Sequence, residues 1–406
     1  MNHLACYGRQ LWHICDYRLL IYALPVFVRD SIEQTVDKQF SDYLANLQNG
    51  GWPLTMPNWN RSTFDLTMLI AQLRRDGFNS QLVNLAVDVD AGNSSRYILN
   101  LDQPDLCLGS KTYYENNSMY RKYMDAYFQF MIASAIQLKA EEVNRDYTSE
   151  LEQIRNFETS IAEIVAHPNL RRNYSVMYNP RTLRNLTETH KSINWLRLVQ
   201  LSMPEGVEVD ENEIIIVRQP DYFASLEQLL TSGQYDERVV ANYLIWRVIA
   251  DTAWPHLSSN FREAAFQFEK VIRGVEKPKP RWTACIEEIQ EKMMSAVGYL
   301  YVDKFFTEES KELAVKLIGH LRESFKDLVL KLKWMTDATK QVAIEKADAV
   351  KEFVGYPDYI KNVVLLEEEY EGFEATANHF DNFMRWQRFI TRGTFQQLRK
   401  PVDKDK

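Results

Sequence analysis

Apolar residues recur three and four positions apart through most of this 406-residue chain. That interval lines up one face of an α-helix, so the expected fold class is mainly α, a large multi-helix lobe. Ser62 reads as the N-cap of a helix running to about Arg75, ended by Gly77. Tyr120, Met124, Tyr127, Met131 and Leu138 mark a second stripe. Ser149-Glu150-Leu151-Glu152 fits a capping box that opens a third helix, with Leu151, Ile154, Ile161 and Val165 as its buried stripe and Pro168 as its stop. The clearest amphipathic pattern runs from Glu308 to Leu332, where Leu313, Leu317, Leu321, Phe325, Leu328 and Leu332 hold the spacing. Thr336 is the expected N-cap of the next helix, with Asp337 at its positive dipole end. There Ala343, Ala347, Val350 and Val354 are expected to face inward, Gly355 to stand at C′, and Pro357 to bar continuation.

Alternation of apolar and polar residues is confined to few places. Leu85 to Asp90 and Tyr97 to Asp102 flank the turn Ala91-Gly92-Asn93-Ser94-Ser95 and predict one short β-hairpin. Glu213 to Val217 is a shorter strand signal. No self-similarity at 30 to 45 residues is evident, which argues against a solenoid. Asn49-Gly50-Gly51-Trp52-Pro53 is a strong turn and is expected to open the ordered region, with residues 1–47 standing apart.

A net charge of −8 disfavours a nucleic-acid binder, which needs a concentrated positive surface. The four cysteines, Cys6, Cys15, Cys107 and Cys285, are too few and too scattered for a disulfide scaffold. The longest apolar run near the start, Leu19 to Val28, is too short for a transmembrane segment. It has Asp16 and His13 before it and no small-x-small cleavage site after it, so it reads as a buried or spurious segment instead of a leader. Five Asn-x-Ser/Thr sequons, at Asn60, Asn93, Asn116, Asn173 and Asn185, are candidate N-glycosylation sites and hint at a secretory history.

The histidines restrict the chemistry. His3, His13, His167, His190, His256, His320 and His379 include no two at i and i+4, the spacing that aims two imidazoles from consecutive turns at one zinc. No Gly-rich phosphate loop and no Gly-x-Ser-x-Gly elbow is present. Glu367, Glu368, Glu369, Glu371 and Glu374 lack the pattern of a calcium loop and read as a solvated face. Lys277-Pro278-Lys279-Pro280 reads as a stiff link between helices. The sequence therefore assigns no catalytic, metal-binding or cofactor-binding residue.

Several segments together resemble the neprilysin family of zinc metallopeptidases, which includes the endothelin-converting enzymes. They are Gly50-Gly51-Trp52-Pro53 with Asn58-Trp59; Leu101-Asp102-Gln103-Pro104-Asp105-Leu106-Cys107-Leu108-Gly109-Ser110 with Tyr113-Tyr114; Arg281-Trp282-Thr283-Ala284-Cys285 through Val302; Trp334 through Lys340; and Gly355-Tyr356-Pro357. The resemblance covers about residues 48–406 and implies the family's N-terminal helical lobe, which closes a chamber over a catalytic lobe. The chain ends near Pro401-Val402-Asp403, a motif that precedes the peptidase module, so the catalytic zinc domain is expected to be absent. The family's zinc ligands then have no counterpart here. Cys285 matches a family cysteine whose partner lies in a stretch that residues 1–47 do not resemble, which implies that Cys285 is unpaired or mispaired.

The resemblance implies a substrate-access domain of a peptide-processing metalloendopeptidase, inactive alone, with peptide substrates and a catalytic lobe or relative as partners. The alternative is a non-enzymatic peptide- or protein-binding module derived from that family. The family is one of the plasma membrane and extracellular space; this chain shows no convincing signal or anchor.

Overall fold

The computed structural model describes residues 33–48, 50–115, 117–138, 146–376 and 378–403. The run from Leu19 to Val28, Cys6, Cys15, His3, His13 and Asn116 lie outside the described residues. In chain order the helices are α1 (Glu33–Ala45), α2 (Leu66–Arg75), α3 (Arg121–Leu138), α4 (Thr148–Ile164), α5 (Tyr174–Met177), α6 (Leu183–Thr189), α7 (Trp195–Ser202), α8 (Pro220–Thr231), α9 (Glu237–Val248), α10 (Ser259–Arg273), α11 (Arg281–Lys292), α12 (Met294–Phe305), α13 (Glu308–Lys331), α14 (Asp337–Asp348), α15 (Val363–Glu369) and α16 (His379–Gln396). The strands are β1 (Asn84–Asp90), β2 (Asn93–Asp102), β3 (Pro180–Thr182) and β4 (Ile214–Val217). Among the described residues the chain divides into a larger unit, residues 33–279 and 373–403, and a smaller one, residues 280–372. The Lys-Pro-Lys-Pro link falls at that division, between α10 and α11.

In the larger unit one apolar core takes Phe40 from α1, Leu69 and Leu73 from α2, Leu151, Ile154, Phe157 and Ile161 from α4, and Phe395 from α16. At its centre lies α9, buried on all sides from Val239 to Val248. A helix buried all round belongs in the middle of a core. Its two polar members are Asn242, whose Oδ1 accepts the Leu54 N–H at 2.6 Å, and Arg247.

The expected hairpin forms and is longer than its alternating runs, pairing Leu85 with Leu101 and Val89 with Tyr97. It is also part of something larger. β4 joins β2 in parallel and β3 closes the edge, giving the order β1-β2-β4-β3. Ile215, Ile216 and Val217 are all buried, as an interior strand requires, and Pro180 sits on the edge strand, where a missing N–H costs little.

Two helix caps differ from the sequence reading. The N-cap of α2 is Asp65, accepting the Met68 N–H at 2.9 Å, whereas Ser62 lies in a 3₁₀ turn (Arg61–Thr63) capped by Asn60. The box at Ser149 is not formed, although the helix starts within one residue of it: α4 begins at Thr148, whose N–H the Asp146 carboxylate two residues earlier accepts at 2.9 Å. The end of α2 is as expected. Gly77, at φ +90°, donates to the Arg74 carbonyl, and Phe78 donates to Leu73, a Schellman closure.

The smaller unit is less well filled. Val302, Tyr356 and Ile360 form a small buried set with Phe306 and Tyr359 against it. α13 spans the expected residues, and Thr336 caps α14 through the Thr339 N–H. The stripe of α13, however, is on the outside: Leu313, Leu317, Leu321 and Leu328 are 60–69% exposed, and Val329 is the buried residue of this helix. Most of the large apolar side chains exposed among the described residues belong to this unit. α14 stops at Asp348, so Val350 lies beyond it and is exposed, and Gly355 is not its C′ residue. Gly355 has a different reason to be glycine: its φ is +73°, and a Cβ there would stand 2.8 Å from the Phe306 ring.

Candidate functional site

α9 does not end cleanly. It passes into a π-helical turn, Ile249–Ala253, and then a 3₁₀ turn, Trp254–His256. π-turns inside helices gather at functional positions because they re-aim side chains. Here the turn carries Asp251 back toward Arg247. The Arg247 Nε donates to Asp251 Oδ2 at 2.9 Å, Nη2 lies 2.8 Å from the same oxygen, and Nη1 donates to the Tyr243 hydroxyl at 3.0 Å. Nη1 also stands 3.7 Å from Glu158 Oε1. Glu158, on α4, is fully buried and accepts from the Tyr114 hydroxyl at 2.8 Å, the Cys107 N–H at 3.0 Å and the Tyr127 hydroxyl.

Electrostatics follow from burial. Burial pushes the Tyr114, Tyr127 and Tyr243 hydroxyls and the Cys107 thiol up, so all four stay protonated at neutral pH. Burial would lower the Arg247 guanidinium, but Asp251, Tyr243 and Glu158 outweigh it and hold Arg247 charged. Burial pushes the Asp251 carboxyl up to about 6 against the pull of Arg247, with Glu158 and Asp105 adding to the rise.

The segment from Leu101 to Ser110 is wrapped onto this network by its own side chains. Asp102 takes a bidentate pair of bonds from Arg171 at 2.9 and 2.7 Å. The Gln103 side chain imitates a backbone partner, accepting the Ala166 N–H at 2.8 Å and donating to the Ala166 carbonyl at 3.4 Å. Asp105 and Ser80 are tied twice: the Ser80 hydroxyl donates to the carboxylate at 3.1 Å and accepts the Asp105 N–H at 2.8 Å. Ser80 has a φ of +73°, alone among the described non-glycine residues. Held-in strain of this kind concentrates at binding and catalytic positions.

Between these parts, within the larger unit, lies a cavity of about 460 Å³. Its walls are Leu106, Phe130, Trp254, Phe268 and Ile272, and its polar groups come from Ser80, Asp105, Cys107, Arg247, Asp251 and the Glu269–Arg273 pair. The sequence reading missed Glu158, Arg247 and Asp251. The available signal was Arg247 itself, one charge inside the apolar run from Val239 to Ala250, where a charge has to find buried partners.

The structure places the remaining candidates apart from this cavity. His167 is exposed on its own turn and His320 is exposed on α13. His256 and His379, 123 residues apart, meet with Nδ1 and Nε2 at 3.2 Å, and the Phe383 ring stacks on His256 at 3.9 Å. Asn60, Asn93, Asn173 and Asn185 are exposed. The Asn60, Asn93 and Asn173 side chains each accept the N–H two residues on. Glu367, Glu368, Glu369, Glu371 and Glu374 are exposed, as a solvated face would be. Cys285 is buried.

The fold is one found in zinc metalloproteases of known structure. It matches the Mycobacterium tuberculosis zinc metalloprotease Zmp1 in complex with an inhibitor with a TM-score of 0.79 at 23% identity, over 100% of this chain and 58% of that one. It matches PepO from Lactobacillus rhamnosis with a TM-score of 0.80 at 19% identity, over 100% of this chain and 61% of that one. Sequence narrows the class. Residues 27–357 match the model of peptidase family M13, and the chain belongs to that family. It is 32% identical to mouse neprilysin over 371 residues, 87% of this chain and 49% of that protein. It is 31% identical to neprilysin-11 of Caenorhabditis elegans over 366 residues, 87% of this chain and 43% of that protein. It is 30% identical to endothelin-converting enzyme 1 of Cavia porcellus over 378 residues, 92% and 48% of the two chains. The chain thus spans about half the length of the curated relatives it matches.

Proposed function

We propose that this chain is the N-terminal, substrate-access region of an M13 zinc metalloendopeptidase, acting in peptide processing together with a catalytic lobe and unable to cleave peptides by itself. The observation that carries the reading is a family match over residues 27–357 in a sequence with no two histidines at i and i+4. No catalytic step is assigned to any residue of this chain. The uncovered apolar face of α13 supports pairing with another polypeptide surface. Among the described residues no helix is long and apolar enough to cross a membrane.

The test is metal analysis and peptide cleavage with the purified 406-residue chain. The expected result is no stoichiometric zinc and no chelator-sensitive cleavage of peptides that neprilysin-like enzymes cut. About one tightly held zinc per chain with such cleavage would overturn the proposal. We further assign Asn60, Asn93, Asn173 and Asn185 as glycan acceptors on secretion. Peptide mapping of secreted protein should find glycans there, and four bare asparagines would refute it.

A further inference from the structure

The access role proposed above makes no use of the cavity between α9, its π-turn, α10 and the Leu101–Ser110 segment. Its volume, about 460 Å³, is in the range of small-molecule sites. Three irregularities converge on it: the π-turn carrying Asp251, the left-handed Ser80 at the mouth, and the ion network on the floor.

Its charge is unbalanced. The single guanidinium of Arg247 serves two carboxylates, Glu158 and Asp251. Asp105 adds a third, tied to a neutral hydroxyl and with no cation at ion-pair distance among the described residues. The Glu269–Arg273 pair at 3.5 Å is neutral as a unit. An anion is therefore disfavoured. So is a bare metal ion: Asp105, Asp251 and Glu269 do not gather their ligand atoms within 4.8 Å of one another, as a hard cation demands. The walls point to an apolar body. Phe130 and Phe268 stack at 5.6 Å with an interplanar angle of 13°, and Trp254, Leu106 and Ile272 complete the lining. Aromatic faces also attract cations.

We propose that this cavity binds a small organic cation, an ammonium group carried on an aromatic or bulky apolar body, with the ammonium between Asp105 and Asp251 and the body against Phe130, Phe268 and Trp254. Burial strains Asp251 as a carboxylate, and an incoming ammonium relieves that strain while water leaves the apolar walls. The site needs only residues of the larger unit and is independent of whether the chain cleaves peptides.

The probe is phenethylamine, titrated into the 406-residue chain at neutral pH by calorimetry and ligand-observed NMR. The control is 3-phenylpropionate, a similar body with the opposite charge. The amine should bind saturably at low-millimolar concentration or tighter, and the acid should not. Ile272→Trp, a half-buried rim position, should abolish binding by filling the mouth. Asp105→Asn, exposed and outside the core, should weaken it about tenfold with an unchanged thermal melt; a factor of ten is a modest loss for one charged contact. Asp251→Asn is unsuited as the main variant because it also disturbs Arg247. Equal binding of amine and acid, amine binding that survives Ile272→Trp, or no binding by the wild-type chain would each overturn the proposal.

Discussion

Arg247 is the residue on which most depends. Its guanidinium is withdrawn from water and joins Asp251, Glu158 and Tyr243, which come from α9, its π-turn and α4. Removing one member of a buried ion network leaves the others as uncompensated charges. Arg247→Met should therefore destabilise the chain by about 3–5 kcal/mol, read as the shift of a urea midpoint. A loss below about 1 kcal/mol would mean that Glu158 and Asp251 find other partners or take up protons cheaply.

Asp251 gives the pH dependence at this scale. Its carboxyl is raised to about 6 in the folded chain, from about 4 when unfolded. The folded state thus holds the proton more tightly. The associated stability is present below about pH 4 and is lost as pH rises through about 6. Asp90 has the opposite sign. Burial would raise it, but bonds from Arg96, the Gly92 N–H and Tyr178 together hold it below the usual range. Its contribution is present above about pH 4 and disappears as pH falls further. Stability measured from pH 4 to 7 should accordingly decline between 4 and 6 relative to Asp251→Asn, while both proteins lose stability below pH 4. A wild-type profile parallel to the variant's through that window would refute the assignment.

At the scale of elements, local rules named the helices well and their surroundings less well. The span of α13, the N-cap of α14 and the glycine end of α2 depend on a few neighbouring residues and were legible as such. The start of α4 was read to within one residue, but Ser149 is not its cap: the helix opens at Thr148, whose N–H the Asp146 carboxylate accepts. Glycine shows the same divide. Gly319 lies in α13 with nothing near a built Cβ, so Gly319→Ala should stabilise by up to about 1 kcal/mol through helix propensity. Gly355 looks equally ordinary in sequence, yet Gly355→Ala should destabilise by at least about 1–2 kcal/mol, from left-handed strain alone, with the Phe306 ring adding to it. Thermal melts of the two variants moving in the same direction would contradict this account.

At the scale of the whole molecule the uneven distribution of apolar surface stands out. The larger unit has a continuous core, whereas the smaller unit carries most of the exposed large apolar side chains among the described residues. Contiguous apolar surface of this kind drives association. The 406-residue chain by itself should sediment as more than a monomer at micromolar concentration, and Leu317→Glu with Leu321→Glu should shift it toward monomer. A sharp monomer in the unaltered chain would show that this face is tolerated in water.

The sequence by itself determined what short-range chemistry encodes: the mainly helical class, the N-cap of α14 and the glycine end of α2, the β1–β2 hairpin, and, through the Leu101–Ser110 motif and its companions, the M13 resemblance that the family match bears out. Only the tertiary structure decided which stripes are covered. It put the α13 stripe outside, joined β4 to β2 across more than a hundred residues, and set Glu158 and Asp251 on Arg247 around a cavity. The reason is range. A helix or a cap is fixed by neighbours within four residues, whereas burial, charge pairing and the protonation of a carboxyl depend on groups that folding alone brings near.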